Sequence, residues 1–474
     1  MKNIVFKISL VLVLAMTFSA CSEDFINDPK PTDQVNEDVI FSSRTGVNAY
    51  ISGIMRRFRG QFNSTDAAGV NSIYYARTVK GNDIIQRNTW FSFDYENDNR
   101  EPGYRRTTFT WEYCYYMIGQ ANLLIQGIEN SASLSSQDKA ETLGQAKAIR
   151  AFFYFQLAME YQHTYTYDAS LPSPPVVTTT DTSHKPMGTL QEMYDLILDD
   201  LTFATTNLTS DRLGKSYINR EAAFGILARV YLVMENWPGA EYAAKQAYGG
   251  TNPYLNASSY GTGFNDYSNP EWIWGSAQSA DQSNYYWGAP HAHTDHSVLS
   301  YAATFFNVDF VDLFSPTDVR NLFINGYGVP DSDYRRWITT KFTFAFDSDH
   351  PIIRTAEMLL TEAEAIARQG GRDAIAADLL FTLQSNRDPN ATPSGNTGQD
   401  LIDEILVERR KELYAEIGVE WFDAKRTRTG ITRTGNHRIM SASLTPDDKK
   451  FFLKIPQSEI DANDLIDDSV NANR

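Results

Sequence analysis

The chain has 474 residues, 42 Lys+Arg against 59 Asp+Glu, a formal charge of −17, and 42% apolar residues. That apolar share excludes intrinsic disorder, and so acidic a surface repels phosphate backbones, which argues against nucleic acid as a partner. Aromatic residues reach 13%, more than a core built from aliphatics requires.

From the N-terminus, Lys2 and Lys7 border an apolar run from Ile8 to Phe18 that is too short to span a bilayer and reads as a signal-peptide core. It ends in Phe18-Ser19-Ala20-Cys21, which resembles a bacterial lipoprotein cleavage box. Residues 1–20 are therefore expected to be removed and Cys21 to carry lipid; ordinary cleavage after Ala20 is the alternative. The acidic Ser22-Glu23-Asp24 resembles a tag for the outer face of an outer membrane. With Pro29 and Pro31, residues 21–36 read as a tether. The other cysteine, Cys114, lies in an apolar helical pattern and is expected to be a buried, inert thiol.

Beyond the tether, residues 37–474 are predicted to act as one domain. Apolar residues recur at helical spacing in Ala148, Phe152, Phe155 and Met159, and again from Tyr194 to Leu208, Ala223 to Met234, Ala356 to Ala367, and Ile402 to Ile417. Two of these stripes end at turn signals, Glu235-Asn236-Trp237-Pro238 and Gly370-Gly371, and are followed at once by a second helical run. Helix, tight turn, helix with small residues facing across resembles tetratricopeptide units, which stack into a curved scaffold. The predicted fold class is therefore all-α: a tetratricopeptide-like scaffold of helical pairs carrying a loop-rich, aromatic-rich insertion module. The loop-rich parts are about 62–110 and 250–350, which lack stripes and hold Trp272, Trp274, Tyr285, Tyr286, Trp287, Tyr301, Phe305 and Phe306. Long loops on a rigid scaffold are where binding usually resides.

Together these pieces resemble the SusD/RagB family of outer-membrane nutrient-binding lipoproteins. Trp111, Tyr115, Ile118, Ala121 and Asn122 match its early helix, and Gly144, Ala146, Arg150, Ala151, Tyr154 and Phe155 the next. Pro172 to Val177, Ala222-Ala223 with Leu227 to Leu232, and Pro351 to Leu360 with Glu362 to Ala365 follow in the family's order. So do Glu408 to Leu413 with Glu416, Trp421, Asp423 and Lys425-Arg426, and finally Leu453 to Ile460. The resemblance implies capture of oligosaccharide at the cell surface and delivery to a TonB-dependent SusC-type transporter, with lipid holding the protein on the outer membrane. RagB-like relatives imply peptides instead, and an interaction scaffold without a small ligand is a third reading.

Much of the shared pattern is structural in physical terms. Arg409 lies on an apolar stripe and needs a carboxylate, with Glu412 or Glu416 expected; Arg354 similarly needs Glu357 or Glu364. No P-loop, HExxH, nucleophile elbow or paired CxxC occurs, so neither catalysis nor a cofactor is expected. His291-Ala292-His293-Thr294-Asp295-His296 holds three of the seven histidines. It is read as a solvated or ligand-facing loop rather than a closed metal site, since neighbours in a loop rarely converge on one centre.

The binding expectation falls on aromatics beside polar groups, because a flat ring covers the C–H face of a sugar while its neighbours bond the hydroxyls. Asn82, Asp83, Arg87 and Trp90, and Trp272, Trp274, Tyr286 and Trp287, are the candidate ligand-binding residues. Trp111, Trp237 and Trp421, which lie on helix motifs, are assigned to the core.

Overall fold

The computed structural model describes residues 37–60, 64–250, 253–278 and 291–474. Cys21, the signal segment, the tether, Tyr286 and Trp287 all lie outside the described residues. Helices of eight residues or more are α1 (Arg44–Arg57), α2 (Val70–Thr78), α3 (Arg105–Asn130), α4 (Ser136–Tyr161), α5 (Leu190–Asn207) and α6 (Arg220–Val233). The rest are α7 (Trp237–Ala247), α8 (Thr355–Gln369), α9 (Asp373–Arg387), α10 (Gly398–Leu413) and α11 (Val419–Thr427).

From α3 to α9 each helix packs on the next, and α10 also packs on α8, so the scaffold is a stack of helical pairs as the periodicity predicts. Local chemistry sets the helix ends. Thr189 Oγ1 accepts the Glu192 N–H at 3.2 Å while Glu192 returns a carboxylate to the Thr189 N–H at 2.8 Å, a reciprocal cap at the start of α5 worth about 1 kcal/mol. Asn236 caps α7 through the Gly239 N–H at 3.1 Å, with Pro238 in the first turn. Gly370 and Gly371 end α8 with φ of +71° and +74°, backbone that a side chain resists. Cys114 is fully buried, and burial pushes its thiol pKa well up, which keeps it protonated and inert.

Residues 62–110 depart from the expectation of loops, because α2 lies among them and α3 begins at Arg105. Every residue of α2 is buried. A helix enclosed on all sides has no polar face and so leaves no stripe in the sequence. The remaining pieces pair as short antiparallel strands: β1 (Ile84–Gln86) with β3 (Thr304–Phe306), and β2 (Trp272–Ser276) with β4 (His350–Arg354). A second apolar cluster, including Tyr75, Ile85, Phe91, Phe306, Phe310 and Tyr414, fills the module under these strands. β4 leads straight into α8, and its Ile353 lies so close to α6 that a Cβ on Gly225 would meet it at 2.9 Å.

Buried charge joins module to scaffold. Arg354, at the end of β4, bonds Glu416 and Glu271 at 2.8 Å and Glu412 at 2.9 Å. Arg387 at the end of α9 shares Glu271 and Glu412, and Arg320 binds Glu408 and Glu412. Lys341 adds Glu416, and Lys411 adds Asp318 and Glu408. Arg320, Lys341, Arg354, Arg387 and Lys411 thus match Glu271, Asp318, Glu408, Glu412 and Glu416 in number. Burial alone would raise the Glu412 pKa, but the Arg387, Arg354 and Arg320 charges outweigh it and hold the group well below the carboxylate range.

The expected partners of the two arginines are corrected here. Arg354 reaches across the chain rather than to Glu357, which binds Arg229 at 2.6 Å, or to Glu364, which binds Arg426 at 2.6 Å. Arg409 binds Asp423 at 2.9 Å. Glu412, although on a neighbouring part of the α10 surface, is already taken by Arg320, Arg354 and Arg387, and Asp423 of α11 meets Arg409 instead.

Candidate functional site

β1 ends at Gln86, and the chain then turns outward: the Arg87 N–H donates to the Ala303 carbonyl at 2.9 Å, and Gln86 Nε2 donates to the Trp90 carbonyl at 2.7 Å. Gln86 is fully buried and is itself held by the Tyr75 hydroxyl at 2.9 Å. Trp90 is thus half-buried on a rigid polar support, while Phe91 turns inward with φ +67°. Across from it, Tyr301 precedes Ala302, whose φ is +44°. Left-handed backbone in residues other than Gly costs about 1–3 kcal/mol and persists where surrounding structure holds it, often at binding sites. Both rings that face each other here sit beside such a residue.

The Trp90 and Tyr301 rings are 6.4 Å apart and 71° inclined, forming a corner. The Arg105 guanidinium lies 5.7 Å from the Trp90 ring centre and bonds Asp66 at 2.8 Å. Arg87 is exposed and reaches the Ala302 carbonyl at 3.4 Å, which joins it to the Tyr301 turn. Behind the corner, His293 stacks on Tyr301 at 4.9 Å and on Tyr75 at 4.7 Å. Phe93, on the one-turn helix Ser92–Tyr95, and Tyr104, which precedes α3, are large exposed rings nearby in the chain.

The histidine segment is corrected. His291 and His293 are buried rather than solvated, and burial pushes their pKa values down to about 4 and about 3, so both are neutral rings near pH 7. His291 Nε2 bonds the Phe264 carbonyl at 2.6 Å, and His296 Nε2 the Thr304 carbonyl at 2.8 Å. Among the described residues no group of three or more His, Cys, Asp or Glu could hold a metal ion.

Four of the predicted binding residues turn out to be structural. Trp274 is fully buried between Phe58 and Phe152, with rings 5.5 and 5.1 Å away, and donates to the Ser216 carbonyl at 3.0 Å. Trp272 is buried 6.3 Å from Phe264. Both lie on β2, a strand buried along its length against β4, so neither offers a face to a ligand. Asp83 is clamped by Arg410 at 3.0 Å. Asn82 Oδ1 accepts from the Thr434 N–H at 2.8 Å and from Asn307 Nδ2 at 3.1 Å. The backbone N–H groups of both residues donate to Glu420 at 2.7 and 2.9 Å. Arg87 and Trp90 remain, and Tyr301 and Arg105 join them. Nothing in the sequence marks Arg105, which opens a helix; Tyr301 stands in an aromatic-rich stretch with no feature to single it out.

The core assignment holds for Trp111 and Trp421, while Trp237 is half-buried under the Arg368 guanidinium, 4.9 Å from its ring centre. A concavity of about 660 Å³ lies elsewhere, between the end of α4 and the C-terminal segment, and includes His163, Tyr167, Phe452 and Arg474 in its lining.

A family model described as starch-binding associating with outer membrane matches residues 24–232, and that of the SusD family matches residues 345–471. A SusD-like protein of Formosa agariphila is 25% identical over 398 residues, covering 72% of this chain and 76% of that one. A SusD-like protein of Bacteroides ovatus is 23% identical over 233 residues, and this chain spans only 40% of its length. Among solved structures, a SusD-like carbohydrate binding protein from Bacteroides vulgatus superposes with a TM-score of 0.81 at 25% identity, over 90% of this chain and 98% of that one. A SusD superfamily protein from Bacteroides thetaiotaomicron shares the fold with a TM-score of 0.78 at 23% identity, covering 89% and 98%. No helix among the described residues is long and apolar enough to cross a membrane.

Proposed function

Because this chain belongs to the SusD/RagB family, whose models match it at both ends, we propose that it captures oligosaccharides without chemical conversion and passes them to a TonB-dependent SusC-type transporter. Lipid on Cys21 would hold it to the outer membrane, facing outward. The observation that carries this reading is the Trp90–Tyr301 corner: two rings in outward loops, each beside a left-handed residue and backed by buried polar groups. A sugar laid on the Trp90 face buries its C–H surface there, while Arg87 and Arg105 donate to its oxygens. The carbohydrate-binding name of the Bacteroides vulgatus neighbour supports the ligand class.

Native gels containing single polysaccharides test this. Retardation of the native protein by one glycan class, lost in Trp90→Ala while the variant stays folded, is the expected result. Equal retardation of both proteins by every glycan, or retardation by none, removes the reading. Proteinase added to intact cells tests the location; a protein it cannot reach is not surface-exposed.

A further inference from the structure

We infer that the Trp90 corner selects glycans carrying an oxyanion, a uronate carboxylate or a sulfate ester, and that Arg87 is the residue that reads it. This deepens the capture reading and rests on it.

Donors and acceptors at the corner are out of balance. Asp66 is occupied by Arg105 at 2.8 Å. Asp295, next in the chain to His296, accepts from Ser297 Oγ at 2.6 Å and from the N–H groups of Ser297 and Phe344, each at 2.8 Å. These two carboxylates are therefore spent. Arg87 has the opposite character: it is exposed, no carboxylate lies within ion-pair distance among the described residues, and its one side-chain bond goes to the Ala302 carbonyl. A guanidinium has five N–H donors in a planar fork that fits two oxygens of a carboxylate or sulfate at once.

The position of this cation is also built. Its backbone N–H is bonded to Ala303, and its head is tied beside the Tyr301 turn, so little freedom is lost when a ligand arrives. His296 bonds the Tyr327 hydroxyl at 3.1 Å, and its pKa is lowered chiefly by burial, with the Arg87 charge nearby acting in the same direction. The chain's overall charge of −17 opposes polyanions bound without a specific site, so an anionic glycan must be held by a short-range contact, and a guanidinium within a few ångströms acts inside the roughly 8 Å over which salt screens the rest. A local unpaired cation beside an aromatic platform then sets the preference.

The test uses the full chain in detergent and matched polymer pairs that differ only in charge: polygalacturonate against its methyl ester, and carrageenan against its desulfated form. Affinity is read from retardation in native gels. The expected result is at least tenfold tighter binding to one charged member than to its neutral partner. The uronate and sulfate arms report which oxyanion is read. Arg87→Gln should reduce the preference to within twofold, costing the charged polymer far more affinity than its neutral partner, while Trp90→Ala should weaken both alike. Equal binding of charged and neutral partners, retention of the preference in Arg87→Gln, or no binding of any charged polymer overturns the inference. If neutral glycans still bind through Trp90 in that event, capture itself stands. If no polymer of either kind binds, both fail.

Discussion

Trp274 and Trp90 come from segments of the same character, rich in aromatics and polar residues and without helical period, yet they end in opposite environments. Trp274 lies on a strand closed in by β4 on one side and by Phe58 and Phe152 on the other. Trp90 follows a strand that stops, and the left-handed Phe91 sends the next residue inward in its place. The arginines repeat the contrast. Arg354 is shared among three carboxylates in the interior, whereas Arg87 meets a single carbonyl at the surface. Pairing partners, not the make-up of the segment, decide whether a ring or a charge serves stability or recognition.

Substitution at the two ends of this contrast should give effects on different measurements. The largest belongs to the junction: Arg354→Met leaves Glu271, Glu412 and Glu416 short of a counter-charge and should destabilise by about 3–5 kcal/mol, read by chemical denaturation. A loss below about 1 kcal/mol would mean that the remaining cations suffice. Trp274→Ala should cost a similar amount, roughly 3–5 kcal/mol, through the cavity it opens, while the folded fraction keeps its glycan affinity. Altered affinity at unchanged stability would restore Trp274 to the ligand site.

Acid should act on a comparable scale. His291 and His293 are held neutral by burial, with pKa values pushed down to about 4 and about 3. An unfolded histidine takes a proton near pH 6.5, while these two, folded, do not until far lower. Stability is thus fully present above pH 6.5 and falls as the pH drops toward 4, by about 1.4 kcal/mol per pH unit for each such histidine. His293→Phe should flatten part of that slope in denaturation curves taken between pH 7 and 4.5; an unchanged slope would place the loss elsewhere. The smallest effect on the fold lies at the surface corner. Trp90→Ala should leave stability within about 0.5 kcal/mol and weaken glycan binding by about 1–2 kcal/mol, roughly five- to thirtyfold, in tryptophan fluorescence titration.

The helical pairs were legible because each stacked helix keeps one face to the core and another to water, which writes a 3.6-residue period into the chain. α2 was not, since burial on all sides erases that period. In the site, Arg87 and Trp90 could be singled out by type, but Asn82 and Asp83 carry the same sugar-binding chemistry and spend it on Glu420, Thr434, Asn307 and Arg410. Tyr301 lies more than two hundred positions from Trp90, and no spacing rule relates the two.

By itself, the amino-acid sequence determined the stacked helical pairs, their turn residues, the family and the presence of an aromatic-rich module, all of which depend on patterns between near neighbours. The tertiary structure alone decided which rings face water and which carboxylate each arginine meets. Those outcomes depend on groups brought together across β1–β3, β2–β4 and the ends of α9 and α10, where distance along the chain carries no information about distance in space.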